Sequence, residues 1–153
     1  MTRFALTING RDCIVDVPAD MRLLELLRNE LGLLGARYGC GEGQCGACCV
    51  LVDGESVPSC TLPVAAVGGR PIVTIEGLAE AVPPVVQDAF VAEGAMQCGY
   101  CTSGLVIAAT ALLAKTRSPS EDEIRAALDG HLCRCGVYDR VIRAVRRAAG
   151  GAP

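Results

Sequence analysis

The sequence is poor in aromatic residues: tryptophan is absent, and Phe, Tyr and Trp together make up 3% of its 153 residues. A small domain with few aromatics often needs a covalent or metal staple in addition to its apolar core. Ten cysteines are present that could supply one. The scarcity of aromatics therefore directs attention to the cysteines.

A surplus of basic charge is also missing. The net charge is −3, and nucleic-acid-binding domains normally carry a basic patch, so we expect no nucleic-acid partner. Basic residues gather only near the end of the chain, at Arg140, Arg143, Arg146 and Arg147. We interpret this run as a solvated helix face in preference to a docking patch.

Long apolar runs are absent as well. The longest, residues 104–114, is too short to cross a bilayer, and residues 1–4 lack the charged and apolar regions of a signal peptide. We therefore expect no direct membrane insertion and a reducing compartment. In such a compartment, clustered cysteines more often serve metal or redox chemistry than disulfides.

The first half of the sequence predicts a small mixed sheet packed on one helix. Apolar and polar residues alternate on both sides of Asn9-Gly10, a strong signal for a two-residue hairpin turn, and Asp53-Gly54 marks a second such turn. Predicted strands cover residues 3–8, 13–17, 50–52 and 72–75. Leucines at helical spacing predict a helix that begins after its N-cap, Asp20, and ends at Gly32.

The second half predicts helices alone. Pro83-Pro84 breaks the chain, and Ser120 with Glu123 forms a capping box that predicts a helix start. Predicted helices cover residues 85–91, 103–115, 120–129 and 138–149. We therefore predict an α+β fold with two domains, residues 1–78 and residues 79–153, of which the second is a four-helix arrangement.

The first cysteine group consists of Cys40, Cys45, Cys48 and Cys60. Its C-x4-C-x2-C opening is the spacing with which plant-type ferredoxins bind a 2Fe–2S cluster. Glycines around it adopt positive φ easily, so that backbone N–H groups can turn toward cluster sulfurs. Zinc is the alternative, although zinc ribbons usually pair cysteines by twos. The adjacent Cys49 opens a strand, and we predict a buried thiol that points away from the cluster.

The second cysteine group consists of Cys98, Cys101, Cys133 and Cys135. Spacing alone leaves zinc a serious alternative to a 2Fe–2S cluster here. A helix predicted to begin at Thr102 or Ser103 would place its positive end beside Cys101, which favours an anionic cluster. A Rieske centre needs two histidines, and the chain has only His131, which we expect to be a local hydrogen-bond donor.

Five motifs in order resemble the iron–sulfur subunit of the molybdenum hydroxylases, the xanthine oxidase family. They are residues 39–48 (GCGEGQCGAC), 59–60 (SC), 74–78 (TIEGL), 97–101 (QCGYC) and 132–136 (LCRCG). The resemblance covers residues 3–149 and is greatest to the small subunits of bacterial nicotinate dehydrogenase, isoquinoline oxidoreductase and aldehyde oxidoreductases. It implies that the first domain is a plant-type-ferredoxin-like β-grasp. The sequence departs from the family mainly at Cys49, where threonine is common.

The resemblance also implies cofactors and partners. Two 2Fe–2S clusters would lie in this chain, and a separate large subunit would hold molybdopterin, in its cytosine dinucleotide form. Gln97 would hydrogen-bond the pterin, and Cys135 would lie on the electron path beside it. Electrons from oxidation of an N-heteroaromatic compound or an aldehyde would cross the second group and then the first, toward a FAD subunit or c-type cytochrome. The chain itself would turn over no substrate.

Two other functions stay open at this point: a free-standing two-cluster ferredoxin-type shuttle and a zinc-stapled interaction domain. A shuttle should expose both clusters and has no need of Gln97 beside Cys98. The positive mean hydropathy of +0.38 suggests instead a large buried interface. We expect a cytoplasmic location, with export as a folded complex on a partner's signal left open.

Overall fold

The computed structural model describes residues 1–150 of the chain. Its five strands are β1 (Thr2–Ile8), β2 (Arg11–Val17), β3 (Cys49–Val52), β4 (Glu55–Pro58) and β5 (Ile72–Val73). They form one mixed sheet in the order β2-β1-β5-β3-β4, in which β1 and β5 are parallel and the other neighbours are antiparallel. The predicted mixed sheet is confirmed.

Both predicted hairpin turns are confirmed by their backbone angles. Asn9 and Gly10 have φ of 52° and 72°, and Asp53 and Gly54 have φ of 53° and 79°. Positive φ at both central residues is the requirement of a type I′ turn, which matches the twist of the strands that it joins. The two turns fix the register of β1 with β2 and of β3 with β4.

The leucine-rich helix differs from its prediction in its start and in its hydrogen bonding. α1 (Leu23–Glu25) continues directly as a π-helical turn, Leu26–Glu30. The N-cap is Arg22, without a side-chain cap, so the predicted Asp20 cap is wrong. The backbone N–H of Leu23 instead donates to the Leu62 carbonyl at 2.8 Å, and this contact replaces a capping side chain.

β5 is shorter than predicted, because Ile75 belongs to a 3-10 turn, Ile75–Gly77. The side chain of Asn9 intervenes there. Its Oδ1 accepts from the Thr74 N–H at 2.8 Å, and its Nδ2 donates to the Thr74 hydroxyl at 3.0 Å. A side chain thus takes the hydrogen bonds that a longer strand would have given to the sheet.

Helices account for the rest of the chain: α2 (Leu78–Ala81), α3 (Val85–Ala92), α4 (Thr102–Lys115), α5 (Glu121–Leu128) and α6 (Tyr138–Ala148). The four predicted helices and the Ser120–Glu123 capping box are confirmed, and α2 is an additional short turn of helix. Among residues 1–150, no helix combines the length and apolar character needed to cross a membrane.

The arginines of α6 are all exposed, as predicted for a solvated helix face, and three of them also contact the end of α3. Arg143 and Arg147 pair with Glu93 at 3.3 and 3.0 Å, and Arg140 donates to the Gly94 carbonyl at 3.3 Å. Glu93 follows directly after α3, so these contacts fasten α6 to the end of α3.

β3 separates two apolar cores. Val50 and Val52 pack into the core between the sheet and the leucine-rich helix, whereas Cys49 and Leu51 pack against the helices that follow. The period of two along the strand sends alternate side chains to opposite faces, and all four residues are buried. The sheet and the helices therefore share β3. The boundary at residue 78/79 stays a prediction.

Candidate metal centres

The loop before β3 holds Cys40 and Cys45 close together. The Sγ of Cys40 faces the backbone N–H groups of Glu42, Gln44 and Cys45 at 3.4, 3.2 and 3.4 Å, and the Cys40 N–H faces the Cys45 Sγ at 3.4 Å. Led by the Glu42 N–H, these donors lower the pKa of Cys40 to about 6. The thiolate is the form that binds metal, so the loop prepares Cys40 as a ligand.

Glycines give this loop its shape. Gly41 and Gly43 have φ of 74° and 76°, in the left-handed region that other residues avoid. A Cβ on Gly39 would lie 2.6 Å from the Cys45 Sγ. The loop therefore wraps as closely around its sulfurs as glycine permits.

Cys48 and Cys60 complete the first cysteine group from two different segments. The Ser59 hydroxyl donates to the Cys48 carbonyl at 2.7 Å, which fixes the segment after β4 beside the end of the loop. Both thiols are buried, with 1% and 7% of their surface exposed. Burial raises the pKa of Cys60 to about 11, and the neighbouring Cys48 thiol acts in the same direction.

The second cysteine group is built from two helix ends. Cys98 and Cys101 immediately precede α4, with Cys101 at its N-cap, and Cys133 and Cys135 lie in the turn between α5 and α6. The Tyr138 hydroxyl holds this turn, since it accepts from the Cys133 N–H at 2.7 Å and donates to the His131 carbonyl at 3.1 Å.

The acidity of the second group is as uneven as that of the first. The Tyr100 N–H, with help from Cys135, lowers the pKa of the exposed Cys98. Burial, with help from Cys133, raises the pKa of Cys101 to about 12. In both groups, an accessible thiol that gives up its proton readily stands beside a buried thiol that retains it.

The sulfurs of each group lie in pairs: Cys40 with Cys45, Cys48 with Cys60, Cys98 with Cys135, and Cys101 with Cys133. Among residues 1–150, no group of three or more His, Cys, Asp or Glu side chains is arranged to hold a metal ion. A 2Fe–2S cluster contains two irons and takes four thiolates, two at each iron. The paired sulfurs and the N–H groups around Cys40 fit that cluster.

The two groups are in direct contact through their backbones. The Leu132 N–H, one residue before Cys133, donates to the Cys45 carbonyl at 3.0 Å. The imidazole of His131 packs on Gly46, where a Cβ would come within 2.3 Å of the ring. Both imidazole nitrogens are buried and have no hydrogen-bond partner among residues 1–150, so the prediction that His131 is a local hydrogen-bond donor is wrong for its side chain within this part of the chain. Burial lowers its pKa.

Gly104 brings α4 against the same loop. A Cβ at Gly104 would lie 2.0 Å from the Gly46 carbonyl oxygen, a backbone atom that cannot swing aside. Gly46 is therefore enclosed by His131 on one side and by α4 on the other. Sequence reasoning missed this contact, because a glycine inside an apolar helix signals close approach without naming the partner.

A second bridge between the loops also escaped sequence reasoning. Arg37, in the first loop, donates to the Gly99 carbonyl and lies over the ring of Tyr100 at 5.4 Å, and the Tyr100 hydroxyl donates to the Tyr38 carbonyl. The position of Tyr100 between Cys98 and Cys101 was the one sequence feature that could have indicated this bridge, because it places an aromatic ring on the second loop. Nothing in the sequence indicated the arginine that lies over this ring.

Gln97 lies exposed next to the exposed Cys98, outside both apolar cores. Among residues 1–150, its side chain makes no hydrogen bond to any of the other predicted site residues. Cys49 is buried on the helical side of β3, whereas Cys48 packs on the sheet side. Its predicted orientation, away from the first group, is confirmed. Burial raises the pKa of Cys49.

Comparison with known proteins agrees with this geometry. Residues 6–69 match the family described as 2Fe-2S iron-sulfur cluster binding domain, and residues 74–146 match the [2Fe-2S] binding domain. One of the subunits of nicotinate dehydrogenase from Pseudomonas putida is 48% identical over 97% of this chain and 95% of its own length. The alpha subunit of isoquinoline 1-oxidoreductase from Brevundimonas diminuta is 45% identical over 93% and 94%.

A solved structure agrees over almost the whole chain. The crystal structure of quinoline 2-oxidoreductase from Pseudomonas putida 86 contains a chain with 38% identity and a TM-score of 0.90. The match covers 97% of this chain and 92% of that one. The predicted succession of a ferredoxin-like domain and a helical domain is confirmed.

Proposed function

The chain belongs to the iron–sulfur subunits of the molybdenum hydroxylases, the xanthine oxidase family, and on that premise we propose a specific electron route through it. In this route Cys98, Cys101, Cys133 and Cys135 hold the inner 2Fe–2S cluster, and Cys40, Cys45, Cys48 and Cys60 hold the outer one. Each cluster accepts and releases one electron at a time. The chain itself transfers electrons and carries out no step on substrate.

The observation that carries this proposal is the backbone contact between the two groups. One hydrogen bond, from the Leu132 N–H to the Cys45 carbonyl, joins the residue before Cys133 to a residue of the first group at 3.0 Å. Two domains that bound unrelated structural metals would have no need of such a contact. It supports electron transfer from one group to the other within this chain.

The direction of the route follows from exposure. Cys98 and Gln97 are exposed, and the large side chains of Tyr100 and Leu132, which flank cysteines of the second group in sequence, are 49% and 64% exposed. This exposed apolar rim is the kind of surface that a partner covers. We assign it to the large subunit, with Gln97 as a hydrogen-bonding contact to the pterin and Cys135 beside it.

The first group has an opening of its own. A cleft of about 350 Å³ reaches Cys60 and is lined by Arg22, Arg28 and Tyr38 among others. This face is the proposed exit toward an FAD subunit or a c-type cytochrome. Both ends of the route are then accessible to partners, while Cys48, Cys60 and Cys101 stay buried between them.

The reaction that we propose for the assembled enzyme is oxidation of an N-heteroaromatic compound or an aldehyde, with oxygen from water, on the large subunit. Molybdopterin cytosine dinucleotide is the cofactor that we propose there. The relatives named for nicotinate, isoquinoline and quinoline support the heteroaromatic class. The proposed compartment is the cytoplasm, consistent with ten free cysteines.

Purification at native expression level tests this function. We expect the chain to come with a larger molybdenum-containing chain and to show two distinct electron paramagnetic resonance (EPR) signals after reduction with dithionite. A coloured chain with both signals and no molybdenum partner would point to a free-standing electron shuttle. A colourless protein that contains zinc would refute both.

A further inference from the structure

Arg37 belongs to the first loop by its backbone and to the second loop by its side chain. Its backbone N–H donates to the Ala47 carbonyl at 3.0 Å, so its main chain is tied into the loop of the first cysteine group. Its guanidinium donates to the Gly99 carbonyl, inside the Cys98-x-x-Cys101 turn of the second group. The side chain therefore spans the gap between the two loops.

Tyr100, in the second loop, makes a contact back to the first loop. Its hydroxyl donates to the carbonyl of Tyr38, and its ring lies under the Arg37 guanidinium, with 5.4 Å between the guanidinium carbon and the ring centroid. This distance is within the range of a cation–π interaction. We call these four residues the inter-loop latch: Arg37, Tyr38, Gly99 and Tyr100.

The charge of Arg37 has no anionic partner within the described part of the chain. The four ion pairs found among residues 1–150 do not include it. Its partners are a carbonyl and an aromatic ring, both neutral, and the residue is half-buried. A full positive charge thus lies against the second loop without an anionic partner among residues 1–150.

Anionic clusters would supply the missing compensation. A 2Fe–2S cluster with four thiolates carries net negative charge, and nearby charge and solvent exposure help to set its potential. One-electron reduction adds one negative charge, makes no bond and needs no proton. Arginine stays protonated at every accessible pH, so its charge is present in both redox states.

We propose that Arg37 is a positioning residue that stabilises the reduced form of the inner cluster by its charge, held in place by the inter-loop latch. The inference rests on the proposed function, in which the electron arrives from the large subunit's molybdenum centre. The guanidinium donates to the Gly99 carbonyl in the second loop. We therefore expect its charge to affect the potential of the inner cluster more than that of the outer one. Arg37 thereby favours movement of electrons into the chain.

The size of the effect follows from Coulomb's law. At an effective dielectric constant of about 20, removal of a unit charge about 10 Å away changes a one-electron equilibrium by roughly tenfold. At a fixed potential we therefore expect Arg37→Gln to lower the ratio of reduced to oxidised inner cluster by about tenfold. This change corresponds to about 59 mV for a one-electron couple.

Redox titration followed by EPR measures this ratio for each cluster separately. The full chain, purified with its clusters and its large subunit, is compared with Arg37→Gln, Arg37→Lys and Tyr100→Phe. Arg125→Gln is the matched control, because it removes an equal charge from an exposed pair with Glu121 on α5. We expect the two charge-retaining variants and the control to stay within about twofold of the native ratio.

An unchanged ratio in Arg37→Gln, with both signals present, would overturn the inference. So would a tenfold fall in Arg125→Gln, because the effect would then belong to net charge in general. If Arg37→Gln fails to load its clusters, Arg37→Lys decides. A native ratio of reduced to oxidised inner cluster in Arg37→Lys would support the role of the positive charge, and a tenfold fall in that ratio would refute it. Absence of two signals in the native protein would instead refute the proposed function.

Discussion

The two cysteine groups are assembled by different means. In the first, three cysteines lie in one glycine-rich loop, and backbone N–H groups of that loop surround Cys40. In the second, each segment supplies two cysteines, and α4, α5 and α6 bring the segments together. The first site is therefore encoded mainly by local sequence, whereas the second depends on helix packing.

Cys135→Ser should have the largest effect, because it should affect one cluster and leave the other intact. Loss of one of four thiolates should abolish the normal EPR signal of the inner cluster and leave that of the outer cluster, since each group has its own ligands. EPR after dithionite reduction is the measurement. Cys13→Ser is the matched control, because Cys13 packs on the sheet core outside both groups. Loss of both signals in Cys135→Ser would contradict independent loading of the two sites.

Gly104→Ala would test the contact that joins the groups. The new Cβ would press on the Gly46 carbonyl from 2.0 Å, so we expect a loss of about 1–3 kcal/mol in the free energy of unfolding. Thermal or denaturant unfolding measures it. Ser103→Ala, at the neighbouring position of α4, should be nearly neutral, since the Ser103 hydroxyl has no hydrogen-bond partner among residues 1–150. Equal stability in the two variants would refute the close contact.

Ser120→Ala would weaken the frame of the second group alone. It removes the cap that accepts from the Glu123 N–H at 3.3 Å, and loss of such a cap costs about 1 kcal/mol. We expect a lower Tm and more labile iron at the inner cluster than at the outer one. Ser118→Ala, an exposed serine before the same helix, is the control and should leave both unchanged.

Glu93→Gln should give the smallest effect, and one that depends on pH. Arg147 and then Arg143 hold the pKa of Glu93 below its usual range. The stabilisation is therefore present above about pH 4.3, the ordinary carboxyl pKa, and is lost as pH falls through the lowered value. The Tm difference from the native protein should shrink in acid. Glu80→Gln, at an exposed carboxylate outside the four ion pairs found among residues 1–150, is the matched control.

Features encoded by local sequence were predicted correctly, whereas features that depend on tertiary packing were not. Cysteine spacing and the Asn9-Gly10 and Asp53-Gly54 turns were readable because each is a local pattern. The π-helical turn at Leu26–Glu30 could not be predicted, because the spacing of the leucines fits both an α-helix and a π-helix. Packing in the core decides between the two. Asn9 similarly ended β5 through a contact 65 residues away in sequence.

The inter-loop contacts were the least predictable part of the molecule. His131 was predicted to be a local hydrogen-bond donor, because a Rieske centre needs two histidines and four cysteines were already available as ligands. In the structure its ring fills the space that Gly46 leaves open. Arg37 and Gly99 are 62 residues apart, and their hydrogen bond uses a backbone carbonyl, which carries no sequence signal.

The enclosure of Gly46 between His131 and Gly104 also bears on how the chain is completed during synthesis. The first loop leaves the ribosome well before α4 and the His131 turn. Gly46 therefore reaches its covered position only after the helices have been made and have docked, whereas Cys40 and Cys45 remain partly exposed in the folded chain.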